Sequence, residues 1–199
     1  MNPKPETKNQ KIGIFGGTFD PPHISHTLAC LYVLETTDLD RIYIIPCYRH
    51  PLGKAATPFE HRVAMTRLAM EPLRDRVEIS EMEAEREGSS YTIDTLRILR
   101  ERMPDARFSL IIGSDILKET RQWKSFDEIQ EIAPLIILPR PQSASEGARD
   151  FHFFLPDISS TEIRRRLSAG EDVTPYLSRR VLDYICQHNL YQSLKEPLK

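Results

Sequence analysis

Short apolar runs alternate along this chain with longer segments in which apolar residues recur at helical spacing. Ile12–Phe15 reads as a first strand, and the apolar run Leu28–Leu34 belongs to a helix over His23–Thr36. Arg41–Pro46 is a second strand, short and apolar enough to be buried on both faces. Pro58 suits the first turn of a helix continuing to about Met70, with Val63, Met65, Leu68 and Ala69 on its buried side. Val77–Ser80 is a third strand. The serines of Gly88-Ser89-Ser90 are placed to cap a helix running through Leu96 and Leu99. Arg107–Ile112 and Leu135–Leu138 are the fourth and fifth strands, with a helical segment around Trp123–Ile132 between them. Phe151–Leu155 is expected to be a short sixth strand. A helix from Thr161 to Ala169 stops at Gly170, and a last one spans Ser178–His188, its tail fraying. Such alternation predicts an α/β fold with a mostly parallel sheet. There is no repeat and no sign of a second domain. Residues 1–10 and 193–199 read as tails around a single domain over 11–192, with 140–150 as a mobile surface loop.

Composition narrows the partners. A net charge of −2 leaves no basic footprint for nucleic acid, so the basic clusters Arg164–Arg166 and Arg179–Arg180 point to phosphate rather than to a duplex. The three cysteines, Cys30, Cys47 and Cys186, are too scattered for a zinc site or a disulfide frame. No run approaches a membrane span, and residues 1–10 lack an apolar signal region, so a soluble cytoplasmic protein is expected. Oligomeric state is not legible, and a homo-oligomer stays open.

Candidate chemistry gathers where ligands of open α/β sheets bind, beyond the carboxyl ends of strands. After the first strand come Gly16-Gly17-Thr18-Phe19-Asp20-Pro21-Pro22-His23-Ile24-Ser25-His26. A glycine pair lets backbone approach a ligand, and the helix behind it aims unpaired N–H groups and its positive dipole end at the same place. His23 and His26, three apart, share one face of its first turn. The fourth strand is followed by Gly113-Ser114-Asp115. Near the C-terminus stands Ile158-Ser159-Ser160-Thr161-Glu162-Ile163-Arg164. Ser159 and Glu162 have capping-box spacing, and a capped helix start is also an anion site, with Arg164 one turn in. Tight turns and helix caps alone would account for the same residue types.

The stretch Gly17–His26 resembles the G-T-F-D-P-x-H-x-G-H signature of a nucleotidylyltransferase family, with Ser25 where glycine is usual. Residues 158–164 are similar to that family's I-S-S-T-x-I-R motif. The resemblance implies a Rossmann-like doubly wound sheet with helices on both faces and a small C-terminal helical part. It also implies transfer of a nucleotidyl group from a nucleoside triphosphate to a phosphate-bearing acceptor. Within the family, Ser90-Tyr91-Thr92-Ile93-Asp94-Thr95-Leu96, Ile111–Asp115 and Trp123 resemble the bacterial nicotinate-nucleotide adenylyltransferase pattern. Its implied reaction joins ATP and nicotinate mononucleotide, with Mg²⁺ carried on the triphosphate and no protein metal site. His23, His26 and Arg164 are then catalytic. Gly16, Gly17, Thr18, Phe19, Gly113, Asp115, Ser159, Ser160 and Thr161 join them in holding ATP. Tyr91, Thr92, Trp123 and Lys54 bind the acceptor. Two departures matter. Ser25 adds a Cβ and a hydroxyl close to the phosphates, which either shifts the geometry or adds a hydrogen bond. Cys47–Lys54 lacks the family's usual Pro-Pro-His-Lys-like spacing. Other readings are a transferase using nicotinamide mononucleotide or phosphopantetheine, and a nucleotide-binding protein without turnover.

Overall fold

The computed structural model describes residues 9–139 and 155–192. Its elements in order are β1 (Lys11–Gly17), α1 (Ile24–Thr36), β2 (Arg41–Pro46), α2 (Phe59–Met70), β3 (Val77–Ile79) and α3 (Thr92–Arg102). Then follow β4 (Arg107–Gly113), α4 (Phe126–Ile132), β5 (Leu135–Leu138), α5 (Ser160–Ala169) and α6 (Arg179–Gln187). The five strands of the described residues form one sheet in the order β3-β2-β1-β4-β5, and each described pairing is parallel. The expected sixth strand at 151–155 and the loop at 140–150 fall almost wholly outside the described residues.

Alternation along the strands divides the interior in two. Ile12, Ile14, Ile45, Phe108, Leu110 and Ile112 point to one face, where Leu96 and Leu99 of α3 and Ile129 of α4 cover them. Ile42, Ile44 and Ile111 point to the other, beneath Val33 of α1, Val63 of α2, Ile163 of α5 and Val181 of α6. The sheet is thus doubly wound. Gly13 shows how closely the second face packs: a Cβ there would lie 2.8 Å from both Ile111 Cδ1 and Leu39 Cδ1.

Sheet register opens the crevice. β1 pairs with β4 only as far as Ile14↔Leu110. Beyond that, β1 continues beside β2 to Gly17↔Pro46, while β4 continues beside β5 to Gly113↔Leu138. The two central strands part at their carboxyl ends, and ligands of doubly wound sheets bind at such a switch point.

Two local expectations are corrected. Tyr91 is the N-cap of α3 and no side chain caps the helix. Ser90 faces the 47–54 loop instead: its hydroxyl accepts the Arg49 N–H at 3.1 Å, and its own N–H donates to the Arg49 carbonyl at 2.8 Å. The chain after α6 does not fray at once. Leu190 and Tyr191 fold back against the core.

Candidate active site

Gly16 and Gly17, at the exit of β1, serve different needs. A Cβ at Gly16 would meet nothing within 4 Å, which leaves room for a ligand against the backbone. A Cβ at Gly17 would lie 3.0–3.3 Å from the Phe19 ring, so the space there is already filled by protein. Phe19 is 2% exposed and adopts a left-handed backbone (φ 52°), rare for an aromatic residue. Its ring packs edge-on against Phe15 at 5.7 Å and against His26 at 5.0 Å. Phe19 therefore shapes the site by wedging His26.

The two histidines are held by the start of α1. His23 is its N-cap, in extended conformation, and is buried. Its backbone N–H donates to His26 Nδ1 at 3.1 Å, while its carbonyl accepts the His26 N–H at 2.9 Å. The imidazoles lie 3.8 Å apart between centroids. A nitrogen that accepts a hydrogen bond carries no proton in neutral imidazole, so the proton of His26 sits on Nε2. His26 is thereby oriented as an Nε2–H donor.

The C-terminal motif docks on this same loop. Ser160 Oγ donates to the Pro21 carbonyl at 2.8 Å, and Arg164 donates to the Asp20 carbonyl at 2.6 Å. A second Arg164 nitrogen reaches Thr161 Oγ1 at 3.2 Å. Ser159 caps α5, its hydroxyl accepting the Glu162 N–H at 3.2 Å. Glu162, the acid of that first turn, is held down to about 2 by hydrogen bonds from Arg165 and Arg166. Paired in this way, it opposes an incoming anion less. Ser25 resolves one of its open alternatives: its hydroxyl donates to the Pro156 carbonyl at 3.0 Å, tying α1 to the approach to α5.

The remaining candidates divide. Thr18 lies on the loop leaving β1, and Gly113 ends β4 across the crevice, with Asp115 exposed two residues on. Tyr91 and Thr92 stand at the start of α3. Lys124, next to Trp123, spans to them, with Nζ 3.2 Å from Asp94 and 4.9 Å from the Tyr91 ring centre. Trp123 itself is half-buried and packs edge-on to Phe126 at 6.2 Å. Lys54 is exposed, and no described contact brings it to Tyr91, Thr92 or Trp123. Burial, with the Lys54 charge beside it, lowers the pKa of His50.

Three residues outside every motif hold the site in place. Arg62, 3% exposed, donates to the carbonyls of Thr57, Thr18 and Cys47, each at 2.8 Å. Glu83, buried, accepts the Tyr48 N–H at 3.1 Å and the Thr95 hydroxyl at 2.9 Å, joining the 47–54 loop to α3. Tyr191 reaches Asp20. No sequence signal marked them, since each acts across a distance in the chain that only folding closes.

Open backbone at Gly16, at the switch point of a doubly wound sheet and beside the starts of α1 and α5 and an oriented imidazole donor, fits the class of nucleotide-binding α/β proteins. The chain belongs to the cytidylyltransferase-like family, whose model matches residues 14–166. A relative from Anaeromyxobacter dehalogenans named "Probable nicotinate-nucleotide adenylyltransferase" is 41% identical over 187 residues, covering 92% of this chain and 97% of that one. One of the same name from Thermus thermophilus is 39% identical over 186 residues, covering 92% and 100%. Among solved structures, the Plasmodium falciparum nicotinic acid mononucleotide adenylyltransferase complexed with NaAD superposes with a TM-score of 0.79. It is 24% identical and covers 92% of this chain and 98% of its own, a match of fold.

Proposed function

We propose that the protein transfers the adenylyl group of ATP to the phosphate of nicotinate mononucleotide, giving nicotinate adenine dinucleotide and pyrophosphate. The observation that carries the chemistry is the fixed tautomer of His26 at the mouth of the crevice. Its full-length relatives, which share the activity in their names, support the choice of acceptor.

An acceptor phosphate oxygen attacks the α-phosphorus of ATP in line. The new P–O bond forms as the bond to the β-phosphate bridging oxygen breaks, and that electron pair leaves with pyrophosphate. A phosphate dianion is already a nucleophile, so the protein's task is positioning and charge stabilisation. His26 donates from Nε2 to an α-phosphate oxygen, strengthening as charge develops there. His23 holds the adjoining phosphates, close to the open face of Gly16 and before the positive end of the α1 dipole. The start of α5, through the backbone N–H groups of Ser160 and Thr161, the Thr161 hydroxyl and the remaining N–H groups of Arg164, takes the β- and γ-phosphates. Asp115 suits ribose hydroxyls, and Tyr91, Thr92 and Trp123 suit a flat acceptor ring. Mg²⁺ enters as the ATP complex, carried by phosphate and water. The free thiols of Cys30, Cys47 and Cys186 suit the reducing cytoplasm.

Pyrophosphate release from Mg-ATP, with the nicotinate and nicotinamide mononucleotides offered in parallel, tests the reading. Preference for the acid is expected. Preference for the amide would keep the chemistry and move the acceptor, an outcome to which the atypical 47–54 loop lends weight. ATP binding without release with any acceptor phosphate, phosphopantetheine included, would overturn transfer. His26→Ala should lower kcat about 10²–10³-fold in a folded protein. Near-normal turnover would remove His26 from the mechanism.

A further inference from the structure

The last described turn of the chain returns to the nucleotide site. α6 ends in a Schellman motif: the Leu190 N–H bonds to the Ile185 carbonyl at 3.0 Å and the Asn189 N–H to that of Cys186 at 3.2 Å. Asn189 takes the left-handed conformation that such a reversal needs (φ 52°), and asparagine tolerates it. The turn directs Leu190 into the core and carries Tyr191 to Asp20, 171 positions earlier, where Tyr191 Oη donates to Oδ1 at 2.6 Å.

Asp20 occupies a critical point. It is 3% exposed, and its second carboxylate oxygen accepts the Thr57 N–H at 3.1 Å. Arg164 takes its carbonyl at 2.6 Å and stands 3.9 Å from its carboxylate. It follows Phe19, whose left-handed backbone must be over-determined by its surroundings, and precedes the Pro21-Pro22 segment that delivers His23. Holding Asp20 therefore holds both the wedge against His26 and the N-cap whose N–H fixes the His26 tautomer.

We propose that Tyr191 is a positioning residue for nucleotidyl transfer, acting through Asp20 on the Phe19–His23 backbone while touching no substrate. The kinetic part rests on the adenylyltransferase reading; the structural part does not.

Tyr191→Phe deletes only the hydroxyl. Hydrogen–deuterium exchange at the amides of Thr18–Asp20 and His23 should accelerate about tenfold, as loss of a hydrogen bond to a carboxylate implies. In the pyrophosphate assay kcat should fall about tenfold while KM for ATP stays unchanged, because misplaced groups lower the rate more than binding. On an Asp20→Asn background the same substitution should add little, since residues acting as one unit are not additive. Leu99→Ala, in the core on the opposite face of the sheet and away from this turn, should lower Tm yet keep kcat. Wild-type exchange in Tyr191→Phe, full additivity with Asp20→Asn, or an equal kcat loss in Leu99→Ala would each overturn the proposal. If the wild-type protein releases no pyrophosphate, the transfer reading fails, and exchange alone decides whether Tyr191 holds the loop.

Discussion

At the scale of single residues, the site depends on which atom is absent as much as on which is present. Gly17 has no positive φ, so alanine is conformationally allowed there, and only the Phe19 ring resists it. That ring is fenced by Phe15 and His26 and yields only by pressing on one of them, His26 being the nearer. Gly17→Ala should therefore lower kcat by about tenfold or more while Tm moves by only a few degrees. A normal kcat would show that His26 tolerates the displaced ring. The thiols give a second residue-scale expectation. Burial pushes Cys30 up to about 12, and burial with the nearby Glu83 carboxylate pushes Cys47 up to about 11. Both stay protonated near about pH 8, and only the thiolate reacts. Iodoacetamide should label exposed Cys186 first, read by peptide mass spectrometry. Rapid labelling of Cys47 would mean that the 47–54 loop opens in solution.

Elements matter here mainly through how their ends are joined. α1 and α5 both start at the crevice, and the ties between them run through loop carbonyls: Ser160 to Pro21, Arg164 to Asp20 and Ser25 to Pro156. The Ile24 N–H ties α1 further on, to the Tyr176 carbonyl between α5 and α6 at 2.9 Å. Ser25 stands out because its family position usually holds glycine, which has no hydroxyl to give. Ser25→Ala leaves the Pro156 carbonyl without this donor, at a cost of about 1 kcal/mol and a Tm lower by about 2–4 °C. With α5 holding the triphosphate, as proposed above, KM for ATP should rise while kcat holds. A change in kcat alone would instead place Ser25 at the α-phosphate. Helix and strand positions themselves were readable from periodicity and end signals. Gly170 closes α5 in the left-handed conformation its residue type foretold (φ 71°). The capping role expected of Ser89 and Ser90 was not so determined, because a serine before a helix can serve the helix or a neighbouring loop.

Across the whole molecule, one buried cation gathers the carboxyl ends of two strands. Arg62 binds the carbonyl of Thr18 after β1, that of Cys47 after β2 and that of Thr57 before its own helix. Burial lowers its pKa, yet a guanidinium stays charged, and its planar fork serves acceptors in several directions. Lysine has no such fork. Arg62→Lys should destabilise the fold by about 3 kcal/mol, measured by urea denaturation, because more than one buried carbonyl loses its donor. An unchanged midpoint would mean that water replaces the arginine. The same substitution loosens the loops after β1 and β2 together, so on the proposed function losses for both substrates should appear jointly.

The sequence by itself determined the alternating elements, the placement of the Gly16–His26 and Gly113–Asp115 motifs after strands, the shared helix start of His23 and His26, and the Ser159 cap. Those depend on periodicity and on neighbours a few residues away, which a linear chain displays directly. Only the tertiary structure decided that β1 and β4 part after Ile14 and Leu110, that the Ser25 hydroxyl turns to Pro156, and that Arg62, Glu83 and Tyr191 hold the site. A buried carbonyl or carboxylate needs a partner, but its sequence does not say which distant donor will arrive. Packing two layers of helices on one sheet makes that choice.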